Sequence, residues 1–123
     1  MSKKSVNVHL VIGETVIPAI LNDSSPSRAL LARMPYTVRL QRYENDYCGV
    51  MGDVLPHDAA ELRSGWTNGD IAFAVNGNYF AILYKGEEIS RQYDGMVTMG
   101  ALDCPPSIMD TLDANISVRI ELA

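Results

Sequence analysis

The chain has 123 residues, of which 47% are hydrophobic and 20% are charged, proportions that are ordinary for a globular protein. Its formal charge of −5 argues against non-specific nucleic-acid binding, which requires a clustered basic surface. The chain has no apolar run long enough for a membrane span and no continuous apolar segment typical of a secretory signal, so we expect a cytoplasmic protein. At this length we expect residues 1–123 to form one domain around a single core.

The N-terminal stretch predicts two strands that pair as a hairpin. Apolar and polar residues alternate from Val6 to Ile12, which is the period of a half-buried strand. Gly13 and Glu14 break this run, and the pattern resumes from Thr15 to Leu21. Pro18 has no amide hydrogen to donate to a ladder, so we expect a sheet edge or a bulge near it.

A short helix is predicted next. Ser25 is a favourable N-cap, Pro26 suits the first helical position, and residues 29–33 are strong helix formers. Pro35 ends the helix, because the residue before a proline is disfavoured in the α region. So short a helix is marginal alone, and we expect it to pack on a sheet or cap a barrel end. Its predicted buried side chains are Leu30, Leu31 and Met34.

Residues 36–43 predict a third strand, with Val38 and Leu40 facing inward and Arg39 and Gln41 facing outward. Residues 44–55 give no clear element, although three of them fit a short irregular strand: Cys48, Val50 and Val54. Asp58 and Glu61 have the spacing of a capping box for one or two helical turns. A loop around Trp66 follows.

Residues 69–84 contain the strongest signal in the chain. The dipeptide Asn76-Gly77 is typical of a two-residue hairpin turn, in which both residues have positive φ. With this turn Phe73 faces Phe80 and Ile71 faces Ile82, so these four side chains share one face, which we expect to be core. The opposite face would leave room for another element or a shallow groove; it carries Ala72, Ala74, Tyr79, Ala81 and Leu83.

The C-terminal third predicts two more strands. Residues 85–95 are polar and indicate a surface loop, and residues 96–102 indicate a strand interrupted by Gly100. A short helical turn is expected over residues 107–112, and Asn115–Leu122 alternates as clearly as the first strand, with which we expect it to pair. The whole pattern, a strand every ten residues or so, favours a mostly β protein with a closed or nearly closed barrel of about eight strands.

No residue cluster indicates a metal site or a nucleophile. His9 and His57 are the only histidines, and Cys48 and Cys104 lack metal-type spacing, so we expect two reduced thiols and no zinc. There is no Gly-x-Ser-x-Gly motif and no phosphate-cradling glycine loop. The acidic residues in or near loops lack EF-hand spacing and are expected to be solvated: Asp46, Asp53 and Asp58.

This order of elements resembles the bacterial cyclophilin-like domain family. The segments that carry the resemblance are residues 17–21, 25–35, 69–70, 81–84 and 96–100. The resemblance spans about residues 5–122, and it implies a cyclophilin-type β-barrel. Small bacterial members of the family generally lack an established activity.

True cyclophilins are peptidyl-prolyl isomerases, in which an arginine near the prolyl nitrogen and an apolar pocket lower the barrier to rotation. The resemblance puts Arg39 on the corresponding strand, with Gln41 on the same face. The Phe-Met-x-Gln-Gly-Gly-Asp segment of cyclophilins is absent, and residues 50–53 are at best a remnant of it. Where cyclophilins present an aromatic pocket wall, this chain has Ala74 and Ala81 beside Tyr79.

Three functional alternatives are open. The first is a non-enzymatic module that binds a peptide or small molecule between the hairpin's outer face and strand 36–43. The second is a weak prolyl isomerase, with Arg39 and Gln41 as candidate catalytic residues, and the third is a homo-oligomer that buries the same face. No cofactor, nucleic-acid partner or membrane partner is predicted. The candidate ligand-binding residues are Arg39, Gln41, Ala74, Tyr79 and Ala81.

Each candidate also has a purely structural interpretation. Arg39 and Gln41 would be solvated residues of an exposed strand face. Tyr79 would cover the alanines next to it on the hairpin. Trp66 would anchor its loop into the barrel end instead of binding a ligand.

Overall fold

The structure, a computed structural model, describes residues 5–123. This part of the chain forms nine strands. The strands are β1 (Val6–Ile12), β2 (Thr15–Leu21), β3 (Tyr36–Arg42), β4 (Asp46–Val50), β5 (Leu62–Arg63), β6 (Asp70–Ala74), β7 (Tyr79–Leu83), β8 (Met96–Leu102) and β9 (Asn115–Leu122). The helical elements are α1 (Ser25–Leu31) and three 3₁₀ segments, Ala59–Glu61, Glu87–Gln92 and Pro106–Thr111. No helix within residues 5–123 is both long enough and apolar enough to cross a membrane.

Eight of these strands close into an antiparallel barrel, which confirms the predicted fold class. Their order around the barrel is β2-β1-β9-β3-β4-β7-β6-β8, and β8 pairs again with β2. The short strand β5 pairs with the other side of β8. The predicted pairing of the first and last strands is also confirmed.

The barrel closes over only part of β2. Ala19, Ile20 and Leu21 pair with β8, and the N–H of Asp103 donates to the carbonyl of Pro18 at 2.8 Å. Proline cannot donate to a second ladder, so the pairing with β8 starts just after it. The second ladder of β2 thus ends at Pro18, where the sequence predicts a sheet edge or a bulge.

The hairpin formed by β6 and β7 supplies the centre of the core. Phe73 pairs with Phe80 and Ile71 with Ile82, as predicted, and each of these side chains is at most 1% exposed. The turn between the strands differs from the prediction. Gly77 and Asn78 have positive φ, at 92° and 61°, instead of Asn76 and Gly77.

Asn78 adopts this conformation because its amide group is held by the neighbouring loop. Its side-chain Nδ2 donates to the backbone carbonyls of Met51 and Asp53, at 3.1 and 2.7 Å. The backbone carbonyl of Asn78 accepts from the N–H of Met51 at 2.9 Å. Asparagine is among the residues that tolerate the left-handed region best. Tertiary contacts thus select the turn conformation while the predicted register is kept.

The helix α1 caps one end of the barrel. Its N-cap is Ser24, one residue before the predicted Ser25, because Asn22 already organises the preceding turn: Asn22 Oδ1 accepts from the N–H of Ser24 at 3.0 Å. Leu30 is fully buried, and the Ser27 hydroxyl donates to the carbonyl of Met99 at 2.8 Å. Leu31 and Met34 pack against the same core and are partly buried.

The stretch that gave no clear prediction contains an inner barrel strand, β4. Tyr47 of β4 is fully buried, and its hydroxyl donates to the carbonyl of Asp113 at 2.7 Å. Arg42 lies beside it, with Nε 3.1 Å from the Tyr47 hydroxyl, and Arg42 also donates to the carbonyl of Leu112. A tyrosine can fill a core position when its hydroxyl group is hydrogen-bonded. The local sequence pattern around Gly49 did not indicate that Tyr47 is such a core residue.

Candidate functional site

The outer face of four adjacent strands, β9, β3, β4 and β7, forms the candidate site. Arg39 of β3 pairs with Ser117 of β9, and Gln41 pairs with Asn115. Alternate residues of a strand point to the same side of the sheet, so these four polar side chains form one continuous wall on the outside of the barrel.

The other side of the site is apolar and comes from β4 and β7. Val50 pairs with Tyr79, and both side chains point outward, because Tyr47 of β4 and Phe80 of β7 are buried. Val50 is 61% exposed and Tyr79 is 38% exposed. Two large apolar side chains are thus open to solvent beside the polar wall.

Between the polar wall and the apolar side lies a groove of about 620 Å³. This volume falls within the range of about 300–1,000 Å³ that is usual for ligand sites. We name this cavity the β3–β4 groove. Its lining residues are Arg39, Leu40, Gln41, Tyr43, Cys48, Gly49, Val50, Tyr79, Asn115, Ile116 and Ser117.

The floor of the β3–β4 groove depends on the missing side chain of Gly49. A Cβ added to Gly49 would lie 1.8 Å from the carbonyl oxygen of Arg39, so the two backbones approach as closely as only glycine permits. The ladder between β3 and β4 contains two pairs, Gln41 with Cys48 and Arg42 with Tyr47, and it stops before Gly49. Gly49 therefore sets how close β4 lies to Arg39.

Arg39 is the one charged residue among residues 5–123 that lines the groove. It is exposed, and within the described part of the chain it forms no ion pair. The guanidinium group can donate five hydrogen bonds in a planar fork. The groove thus presents an available cation on a protein whose formal charge is −5.

Cys48 lies in the groove, but its thiol is a poor nucleophile at neutral pH. Burial, followed by the negative charge of the nearby Asp46 and a hydrogen bond to it, raises the pKa of Cys48 to about 12. Because the thiolate is the reactive form, the Cys48 thiol reacts slowly as a nucleophile at neutral pH.

We expect this raised pKa to make Cys48 unusually slow to react. In a Cys104→Ser background, its reaction with dipyridyl disulfide at pH 8 should be roughly 40-fold slower than that of a free thiol, since the thiolate fraction falls faster than the thiolate's nucleophilicity rises. Replacing Asp46 with asparagine should speed the reaction, whereas Asp53→Asn should not. A rate that levels off below pH 10 would show that the pKa is not raised.

Of the predicted ligand-binding residues, three lie in the groove and two lie outside it. Arg39, Gln41 and Tyr79 line it together. Ala74 lines a different cavity, of about 350 Å³, and Ala81 is only 4% exposed. The strand β4 lies between β3 and the hairpin, so it forms the middle of the groove, with Arg39 and Gln41 of β3 on one side and Tyr79 of the hairpin on the other.

A second small cluster covers the alanine face of the hairpin. Its buried members are Ala72, Ala81 and Leu83, and the residues packed against them are Cys48, Trp66 and Met96. Trp66 is held over this face by its Nε1, which donates to the carbonyl of Lys85 at 3.0 Å. Trp66 therefore takes the covering role that the structural interpretation gave to Tyr79, and this leaves Tyr79 available to the groove.

Sequence reasoning missed the contribution of β9 to the groove. Asn115 and Ser117 follow the clear alternation of that strand, and their outward direction could be predicted. Their place beside Arg39 depends on the pairing of β9 with β3, a long-range pairing for which the chain carries no local signal. The same holds for Val50: the sequence places it in a short irregular strand, but its position beside Tyr79 depends on the pairing of β4 with β7.

Another cavity, of about 650 Å³, lies elsewhere and is less suited to an amphipathic ligand. Its lining carries charges of both signs: Arg63, Asp70, Glu87, Glu88 and Arg91. Ligand sites are mostly apolar with a few placed polar groups, a description that the β3–β4 groove fits better. Within residues 5–123, no three histidine, cysteine or acidic side chains converge as metal ligands.

The comparisons with known proteins concern the fold. The sequence model described as "Cyclophilin-like family" matches residues 10–121. Among solved structures, the hypothetical protein AF2241 from Archaeoglobus fulgidus, determined in solution, matches with a TM-score of 0.75 and 12% sequence identity. The match covers 97% of this chain and 95% of that chain, and at this identity it shows a shared fold alone. The search of curated proteins found no match.

Proposed function

The chain belongs to the cyclophilin-like family, and we propose that it is a non-enzymatic module that binds a peptide or a small molecule in the β3–β4 groove. The observation that carries this proposal is the convergence of Arg39, Gln41 and Tyr79 on one cavity of about 620 Å³. A polar wall stands on one side of this cavity and an exposed apolar side on the other. This combination is typical of sites that bind amphipathic ligands.

The apolar side supplies the affinity in this proposal. Covering the exposed parts of Val50 and Tyr79 would remove apolar surface from water, worth roughly 25 cal/mol for each Å². The polar wall would orient the ligand, because unpaired hydrogen-bonding groups penalise a ligand that does not match them. Neither role requires a reactive group, in agreement with the protonated state of Cys48.

A weak prolyl isomerase is the second candidate, and the position of Arg39 favours it. The guanidinium group lies beside an apolar side formed by Val50 and Tyr79, which could hold a proline ring. A donor near the prolyl nitrogen weakens the amide resonance that opposes rotation, a barrier of about 18–20 kcal/mol. A homo-oligomer that buries Val50 and Tyr79 is the third candidate, favoured by the exposure of these side chains.

The proposal is tested with a thermal-shift panel of tetrapeptides and small apolar acids and amides, followed by NMR titration of the hits. We expect Tyr79→Ala to weaken binding about tenfold, through the loss of about 1.4 kcal/mol of apolar contact. The matched control is Tyr93→Ala, since Tyr93 is also exposed but lies outside the groove. Binding that Tyr93→Ala weakens and Tyr79→Ala does not, or a panel without any hit, would contradict the proposal.

The same samples separate the alternatives. Faster cis/trans exchange in Ala-Ala-Pro-Leu, abolished by Arg39→Ala, would support the isomerase, and binding without a gain in exchange would support the module. A dimer mass in light scattering that Tyr79→Glu reduces to a monomer mass would support the homo-oligomer.

A further inference from the structure

The charge and the shape of the β3–β4 groove indicate which end of a ligand it takes. Building on the proposed function, we infer that the groove binds the C-terminal carboxylate of a peptide whose last side chain is apolar. Arg39 holds the carboxylate, the amide side chains of the wall hold the preceding peptide groups, and Val50 with Tyr79 contacts the last side chain.

The carboxylate follows from the charge of the lining. Arg39 is the one charged residue of the groove within residues 5–123, and no described carboxylate pairs with it. Arg119 of β9, which is also exposed, differs from Arg39, because the Nε of Arg119 already donates to Glu121 at 2.9 Å. A guanidinium group and a carboxylate form two parallel hydrogen bonds, which neither an amide nor an amine reproduces.

The peptide chain follows from the rest of the polar wall. Gln41 and Asn115 pair with each other across the ladder, and each carries an amide that can both donate to and accept from a peptide group. Gln41 lies two residues from Arg39 on the same face, a rise of about 6.6 Å along the strand. An extended peptide places its second peptide group at about the same distance from its terminal carboxylate.

The apolar last side chain follows from the opposite side of the groove. Val50 and Tyr79 form a pair across β4 and β7, so they present a single apolar surface facing the wall. A peptide lying along the wall with its carboxylate at Arg39 would turn its last side chain toward this surface. An acidic or basic side chain there would lose hydration without gaining a partner.

The test compares one peptide in two forms. Ala-Ala-Ala-Leu with a free carboxylate should bind at least tenfold more tightly than its C-terminal amide, measured by NMR titration. Arg39→Gln should remove this difference. The matched control Arg119→Gln, which makes the same change of charge on an arginine that is already paired, should keep it.

Each other outcome overturns a defined part of the inference. Equal binding of the acid and the amide would overturn the carboxylate assignment while the proposed function stands. Equal binding of the peptide and 4-methylpentanoic acid, which has the same apolar end without a peptide group, would overturn the peptide assignment. If neither form of the peptide binds while other panel members do, the inference falls alone; if nothing binds, the proposed function falls with it.

Discussion

Replacing Gly100 with alanine is expected to destabilise the protein by about 3 kcal/mol or more. A Cβ on Gly100 would lie 2.0 Å from the carbonyl oxygen of Ile20 and 2.9 Å from the Cα of Leu21. Both neighbours are backbone atoms, so no side chain can rotate away. The barrel would have to separate β8 from β2 at the place where it closes.

Unfolding in urea and thermal unfolding both measure this effect. We expect Gly100→Ala to lower the melting temperature by roughly 10 °C or more. Gly52→Ala is the matched control, because the nearest atom to its added Cβ is the Tyr36 hydroxyl oxygen at 3.6 Å, an ordinary contact. The control should stay within about 1 kcal/mol of the parent protein. Equal stability of the two variants would mean that β2 and β8 do not approach as described.

Replacing Gly49 with alanine should both destabilise the fold, by about 2–3 kcal/mol, and weaken ligand binding. The added Cβ would lie 1.8 Å from the carbonyl oxygen of Arg39 and 3.3 Å from a methyl carbon of Leu40. The barrel can relieve this clash by moving β4 away from β3, since the ladder between them is short. Arg39 would then lie farther from Val50, and one ligand could not contact both.

Two measurements on the Gly49→Ala protein check this prediction, its free energy of unfolding and its affinity for the hits of the panel. Gly52→Ala again serves as the control, as it lies just beyond the same strand. A Gly49→Ala protein with parental stability and parental affinity would contradict the close approach of the two strands. A loss of stability with unchanged affinity would show that the groove does not depend on this approach.

The parts of the fold that follow a local period could be predicted from the sequence. The alternation in β1, β3 and β9 fixes which side chains point inward, since a shift by one residue would expose the whole apolar set. The pairing of Phe73 with Phe80 was predicted because a short turn determines the register of a hairpin. In contrast, the sequence predicted β4 only as a short irregular strand, because Gly49 interrupts its alternation. The close approach of Gly49 to Arg39 is visible only in three dimensions.

For the candidate site, the sequence likewise predicted the direction of side chains but not their neighbours on other strands. Arg39, Gln41 and Tyr79 were found because each points outward on a strand whose inner face is clear. Ala81 was placed in the site because the order of strands around the barrel was unknown, and with it the position of β4 and the covering role of Trp66. Local patterns thus identify the direction of a side chain, whereas its neighbours depend on which strands pair over long distances.

A crystal structure of the protein with Ala-Ala-Ala-Leu bound tests the central claim most directly. The β3–β4 groove should hold the peptide, with the terminal carboxylate on the guanidinium group of Arg39 and the leucine side chain against Val50 and Tyr79. A peptide bound instead in the charged cavity beside Trp66 and Arg91 would contradict the assignment of the groove as the ligand site.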